Sequence, residues 1–160
     1  MLTKIIFATL CLLSIPIILV SGALLRNDLP WSDPPGPVAR LRHYLSMNVA
    51  ETTDVSLFPE LVIREYQYPS DAFYSLVETS IAQLGWEIDS QHEQSYTIHA
   101  VVTTPLIGYI DDVTIKLMPM TENRNNLYIR SSSRKGRGDL GTNTRHILDL
   151  YNQIEKHMAN

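Results

Sequence analysis

Cysteine, a broad cationic surplus and internal repeats are all missing or scarce in this chain. Its single cysteine, Cys11, stands inside an apolar N-terminal stretch, so the remainder can form neither a disulfide nor a thiolate metal site. Leu10 occupies the place before Cys11 where a lipoprotein signal needs a small residue, which argues against lipidation there. A net charge of -4 withholds the basic excess that a nucleic-acid partner requires. The sequence also lacks a Walker loop, a dinucleotide fingerprint and a G-x-S-x-G elbow. His92, His99, His146 and His157 share no metal-ligand spacing, so no cofactor or metal is expected and the balance leans away from an enzyme.

What is present falls into three parts. Ile5 to Leu25 carries no charge between Lys4 and Arg26, long enough for a helix to cross a hydrocarbon core. Residues 1–25 are therefore expected to form a transmembrane or signal-anchor helix that stays attached, with the N-terminus inside and the rest outside. A cleaved secretory signal, with Ser21, Gly22 and Ala23 as the small residues, fits the same pattern. Residues 26–59 concentrate Pro30, Pro34, Pro35, Gly36 and Pro37, which predicts a stiff, partly extended linker that holds the following domain away from the bilayer. Pro37 can also open a short helix through Leu41, Tyr44 and Leu45.

Residues 60–160 read as one α+β domain. The β-formers of Glu60 to Tyr68 predict a first strand. Ser70 is placed to cap a helix whose Phe73, Leu76, Val77, Ile81 and Leu84 keep helical spacing up to Gly85. Four strands follow, over Trp86–Gln91, Tyr96–Thr104, Tyr109–Leu117 and Leu127–Arg134, with a polar connection from Thr121 to Asn126. A last helix over 142–158 aligns Ile147, Leu150, Tyr151, Ile154 and Met158, with Thr142 or Asn143 as its cap. The order β-α-β-β-β-β-α predicts an antiparallel sheet of about five strands with both helices on one face.

Alternation then sorts side chains between the two faces. Val113, Ile115 and Leu117 point to the helices, so Asp112 points away; Leu127 and Ile129 point in, so Tyr128, Arg130, Ser132 and Arg134 share the open face with Asp112. Asp112 is expected to reach Arg130 or Arg134 across the hairpin, with His99 on the same face. The segment Arg130 to Asn143 packs Arg130, Arg134, Lys135 and Arg137 with Gly136, Gly138 and Gly141 into the turn before the last helix. One reading is an anion site, built from amides at a helix start and flanking arginines. The other is a structural turn, in which Asp139 pairs with Arg134 or Arg145 and Asn143 caps the helix.

Thr104-Pro105-Leu106, Tyr109-Ile110-Asp111-Asp112-Val113, and Arg130-Ser131-Ser132-Ser133-Arg134 with Gly136, Asp139-Leu140-Gly141, Asn143 and Arg145 together resemble the domain of unknown function 1499 family. That family occurs in bacteria and plant plastids, and the resemblance implies no known activity or cofactor. Its signature positions fall on Asp111, Asp112, Arg130, Ser131, Ser133, Arg134, Gly136, Asp139, Gly141, Asn143 and Arg145. Many members carry Asn-Cys-Val-Ser-Ser before the domain, where this chain has Asn48-Val49-Ala50-Glu51-Thr52, so no role of that cysteine carries over. The expectation is a membrane-anchored envelope protein. It would sit in a bacterial inner membrane with its domain in the periplasm, or be secreted there after cleavage. It would act as a non-catalytic binding or assembly module toward an envelope protein or anionic ligand, with a hydrolase or a lipid-handling domain as the alternatives. The expected contact residues are Asp112, Arg130, Ser131, Ser133, Arg134, Gly136, Asp139, Gly141, Asn143 and Arg145.

Overall fold

The structure is a computed structural model that describes residues 2–104 and 108–159; within the first helix, side chains are described at 4, 12, 14, 15 and from 18 onward. Helix α1 covers Leu2–Arg26 and α2 Pro37–Ser46, followed by strands β1 (Val49–Glu51) and β2 (Arg64–Tyr66). Helix α3 (Ser70–Gln83), strands β3 (Glu87–His92), β4 (Thr97–Thr103), β5 (Ile110–Thr121) and β6 (Arg124–Ser133), and helix α4 (Thr142–Met158) complete the order. The six strands form one antiparallel sheet, β1-β6-β5-β4-β3, with β2 pairing further along the same side of β6 as β1. Among the described residues no helix is long and apolar enough to cross a membrane. The span expected over 5–25, Pro16 and Cys11 included, rests largely on side chains outside those described, as does the Pro105-Leu106 pair of the resemblance.

Helices α3 and α4 lie on one face of the sheet, as the two apolar stripes predict. Phe73, Val77 and Ile81 from α3 and Ile147, Leu150, Tyr151 and Ile154 from α4 are wholly buried against Ile98, Val113, Ile115, Leu117, Leu127 and Ile129. Burial of each such side chain stabilises the fold by about 1.5–3 kcal/mol.

The sheet has six strands where about five were expected, because β1 from the expected linker joins it, and several boundaries differ as well. The segment Glu60–Tyr68 is not one strand. It opens with a 3-10 turn over Pro59–Leu61, and Val62 makes a parallel bridge to Thr53 before β2 begins. Ser70 does not cap α3, whose cap position is Pro69; its hydroxyl donates instead to Asn125 Oδ1 at 2.9 Å. Asn125, expected in a connection, is fully buried in β6, and its amide donates to Tyr68 O.

The linker differs most. Instead of spacing the domain from α1, it folds onto the domain. Leu29 is buried, Trp31 sets its edge against the Tyr44 ring at 5.5 Å, and Ala50 and Thr52 are buried at the sheet's edge. The helix that Pro37 opens exists because its inner face has a partner. Arg40 is wholly buried and donates to Glu60, to Tyr44 Oη at 3.0 Å, and to the carbonyls of Asp33 and Pro34. Arg40 ties the Pro34–Pro35 pair back to α2 and to Glu60, so proline stiffness here serves a compact turn.

A buried ion pair is weak support for stability as a whole but costly to break by half. Arg40→Ala is expected to destabilise the protein by about 3–5 kcal/mol in urea unfolding, whereas Arg40→Met with Glu60→Leu should regain most of the loss.

Candidate functional site

Strands β5 and β6 pair Asp112 with Ser132 and Thr114 with Arg130, so their side chains alternate about the sheet as the pattern requires. On the open face, Arg134 grips Asp112 through three contacts of 2.7, 3.0 and 3.1 Å. This ion pair holds the Asp112 carboxyl below its ordinary range. Arg130 does not join it; its guanidinium faces Glu51 of β1 at 3.8 Å and donates to Ser132 Oγ at 3.1 Å. Tyr128 donates to Glu51, and His99 meets Thr114 Oγ1 at 3.2 Å. The open face is thus a ladder of exposed polar side chains that already have partners.

The turn before α4 is built differently from an open anion cradle. The amides of Asp139 and Leu140 donate to Met47 O and Tyr44 O, the carbonyl end of α2. Gly138 lies so close that an added Cβ would stand 2.3 Å from Leu45 O, a contact only glycine allows. The Asn48 side chain donates to Gly136 O at 2.8 Å, and Gly136 (φ 101°) and Gly141 (φ 82°) take left-handed conformations. Leu140 does so as well (φ 55°), at a cost of about 1–3 kcal/mol that the bond to Tyr44 O and one from Asn27 offset.

The start of α4 is already occupied by an anion. The Asp139 carboxylate accepts from the Gly141 amide at 2.8 Å and the Asn143 amide at 3.0 Å. Gly141, not Thr142 or Asn143, holds the cap position. Asp139 therefore pairs with neither Arg134 nor Arg145. Its burial lifts its carboxyl above the usual range, while the two amides pull it back. Arg145 turns to Asp149 at 2.6 Å and to Asp28 of the linker at 3.6 Å. Lys135 and Arg137 are left exposed at the tip of the turn, with no ion-pair partner among the described residues.

The expected site residues accordingly divide. Asp112, Arg130 and Arg134 share the open face; Gly136, Asp139 and Gly141 frame the turn; Arg145 lies over the linker. Ser131, Ser133 and Asn143 meet on the helix side. The Ser131 hydroxyl donates to Asn143 Oδ1 at 2.6 Å, and Asn143 Nδ2 donates to Asn48 O at 2.9 Å and Ser133 Oγ at 3.1 Å.

Two further residues complete this buried cluster, and neither was among the expected contact residues. His146 Nδ1 stands 3.2 Å from Ser131 Oγ and 3.8 Å from Asp111 Oδ2. Asp111 is 1% exposed, and neither carboxylate oxygen has a hydrogen-bond partner. Both residues left a trace in the sequence. Asp111 lies in the inward register of Val113, Ile115 and Leu117, and His146 lies beside Ile147 on the apolar stripe of α4. The trio does not make a catalytic triad, because serine and aspartate both face the same imidazole nitrogen and the serine is fully buried. Since the Ser131 proton goes to Asn143, Ser131 can only accept from His146 Nδ1–H. Among the described residues no three of histidine, cysteine, aspartate and glutamate gather as metal ligands.

The family model described as protein of unknown function (DUF1499) matches residues 41–154. The chain belongs to this family. No curated protein matches it. The match begins inside α2 and spans the capped turn, the open-face pair and the buried cluster.

Burial disfavours the charged imidazole of His146, which titrates below 6.5, its ordinary value, although Asp111 pulls upward. The unfolded chain then takes up a proton that the folded chain resists. The stability tied to His146 is complete above about pH 6.5 and declines as pH falls below it. His43 is held down by burial in the same sense, so the check is a difference: urea unfolding from about pH 7.5 to about pH 5.5 should show a shallower loss in His146→Gln than in the parent chain. Asn143→Ala leaves Ser131 without its acceptor and should cost about 1–3 kcal/mol at neutral pH.

Proposed function

We propose that the chain is tethered to a membrane by its N-terminal helix and that its domain is a non-catalytic binding module whose contact element is the basic turn Arg134–Arg137. The observation that carries this reading is the anchoring of the turn on both sides. The Arg134 amide donates to Ile110 O, Gly136 O accepts from Asn48, and the Asp139 and Leu140 amides beyond the turn donate to Met47 O and Tyr44 O, so Lys135 and Arg137 project from between held positions. A preformed cationic tip loses little conformational freedom on meeting an anionic group. The tether is supported by the uncharged stretch from Ile5 to Leu25 and by the exposure of Leu12, Ile15, Ile18, Leu19 and Leu25 on α1. In this proposal the chain sits in a bacterial inner membrane with its domain in the periplasm, a reading supported by the signal-like form of that segment.

The alternatives find less support. A hydrolase would need an accessible nucleophile, and Ser131 is sealed beneath α4. A lipid carrier would need space between sheet and helices, where Phe73, Ile81, Leu150 and Tyr151 are fully buried.

Two measurements test the proposal. Alkaline phosphatase fused after Asn160 should be active in an export-competent bacterium; an inactive fusion of a stable protein would overturn the placement. In the full chain, pyrophosphate at matched ionic strength should raise the melting temperature, and Lys135→Gln with Arg137→Gln should remove the rise. No rise in the parent chain would sink the role of the turn.

A further inference from the structure

The outer side of α2 carries apolar residues that no described residue of the domain covers. Val38, Leu41 and Leu45 recur at helical spacing and are 83%, 39% and 48% exposed, while the opposite side, Arg40 and Tyr44, is buried. Arg42 sits among the exposed three. The stripe runs into Met47, also exposed, whose carbonyl accepts from Asp139 just beyond the basic turn. An apolar strip therefore lies next to Lys135 and Arg137 in one continuous backbone assembly.

The position of this strip relative to α1 is constrained. The segment between Arg26 and Pro37 is folded into turns and docked: Asn27 Nδ2 donates to Leu140 O at 2.9 Å, Leu29 is buried, and the nearby Asp28 is engaged by Arg145. The turn and α2 are consequently held at the foot of α1, where Leu25 is itself exposed. Apolar side chains flanked by lysine and arginine are the composition that settles into the headgroup layer of an anionic bilayer. Two acidic residues of the docked segment, Asp28 and Asp33, lie exposed, Asp28 beside Arg145; the charge of more distant ones is screened beyond about 8 Å at physiological ionic strength.

We infer that α2 and the basic turn form a second, interfacial membrane attachment, with Val38, Leu41 and Leu45 seated among lipid headgroups and Arg42, Lys135 and Arg137 paired with anionic phosphates. This rests on the tethered reading and names the partner of its basic turn as the bilayer surface itself. The attachment fixes the domain's orientation: α2 faces the lipid, and one patch of the chain is committed to it.

The test uses the full chain, with Cys11→Ser and Leu45→Cys carrying a polarity-sensitive fluorophore, in phosphatidylcholine nanodiscs with or without phosphatidylglycerol. The label should move to an apolar environment in the anionic discs, and a label at Thr114→Cys on the open sheet face should remain in water. Lys135→Gln and Arg137→Gln should each lower the ratio of docked to undocked chains about fivefold in those discs. A label at position 45 that stays in water in both lipids, on a chain that remains with the discs, overturns the second attachment and leaves the tether standing. A chain that does not remain with the discs overturns both. A shift that follows the number of chains per disc and not the anionic lipid means that a second copy covers the stripe, and this too overturns the inference.

Discussion

Two backbone hydrogen bonds, from the amides of Asp139 and Leu140 to the carbonyls of Met47 and Tyr44, tie α2 and the turn before α4 into one unit. A helix leaves its last carbonyls and its first amides without internal partners. Here one short stretch of chain serves both ends: its amides satisfy the end of α2, and the Asp139 carboxylate satisfies the start of α4. The opposed dipoles of the two helix ends favour this arrangement, because a carboxylate belongs at a helix start. Once the stretch is pinned, the linker has a surface to dock on, and Leu140 can tolerate a backbone conformation that it would otherwise leave.

The buried polar cluster plays a complementary part beneath that turn. Ser131, Asn143, Ser133 and the Asn48 carbonyl exchange hydrogen bonds whose directions are fixed by their donors and acceptors. An apolar contact at these positions would allow α4 to rotate or slide, whereas the hydrogen bonds specify one register of the helix against β6. Asp111 stands apart. It lies in the same layer with His146 as its nearest basic group and has no hydrogen bond to offset its desolvation.

Much of the architecture was legible from periodicity. The last helix has the bounds that its stripe gives, Pro37 opens a helix, and the alternation in β5 and β6 sends Asp112 and Arg134 outward together. What could not be read depends on contacts distant in sequence. β1 is three residues long and has no periodicity of its own; it exists because β6 offers it an edge. The docked linker owes its shape to Arg40, whose buried partner Glu60 lies twenty positions on. Gly138 looks like any turn glycine until Leu45 O is seen against it. The inward polar residues Asp111, Ser131, Asn143 and His146 were readable one by one as polar residues in apolar registers, but their convergence depends on where α4 crosses the sheet.

The sheet's borders bear on how the domain can meet other molecules. On one side the outermost strands, β1 and β2, are three residues each and are separated by an excursion of the chain through Val55 and Leu57. On the other, β3 is broken by a bulge between Ile88 and Ser90 and bears Glu87 and Asp89. Neither border offers the long straight row of free amides and carbonyls that an incoming strand needs. Short, bulged and charged edges of this kind disfavour the addition of a further strand, from a visiting polypeptide or from another copy of the domain.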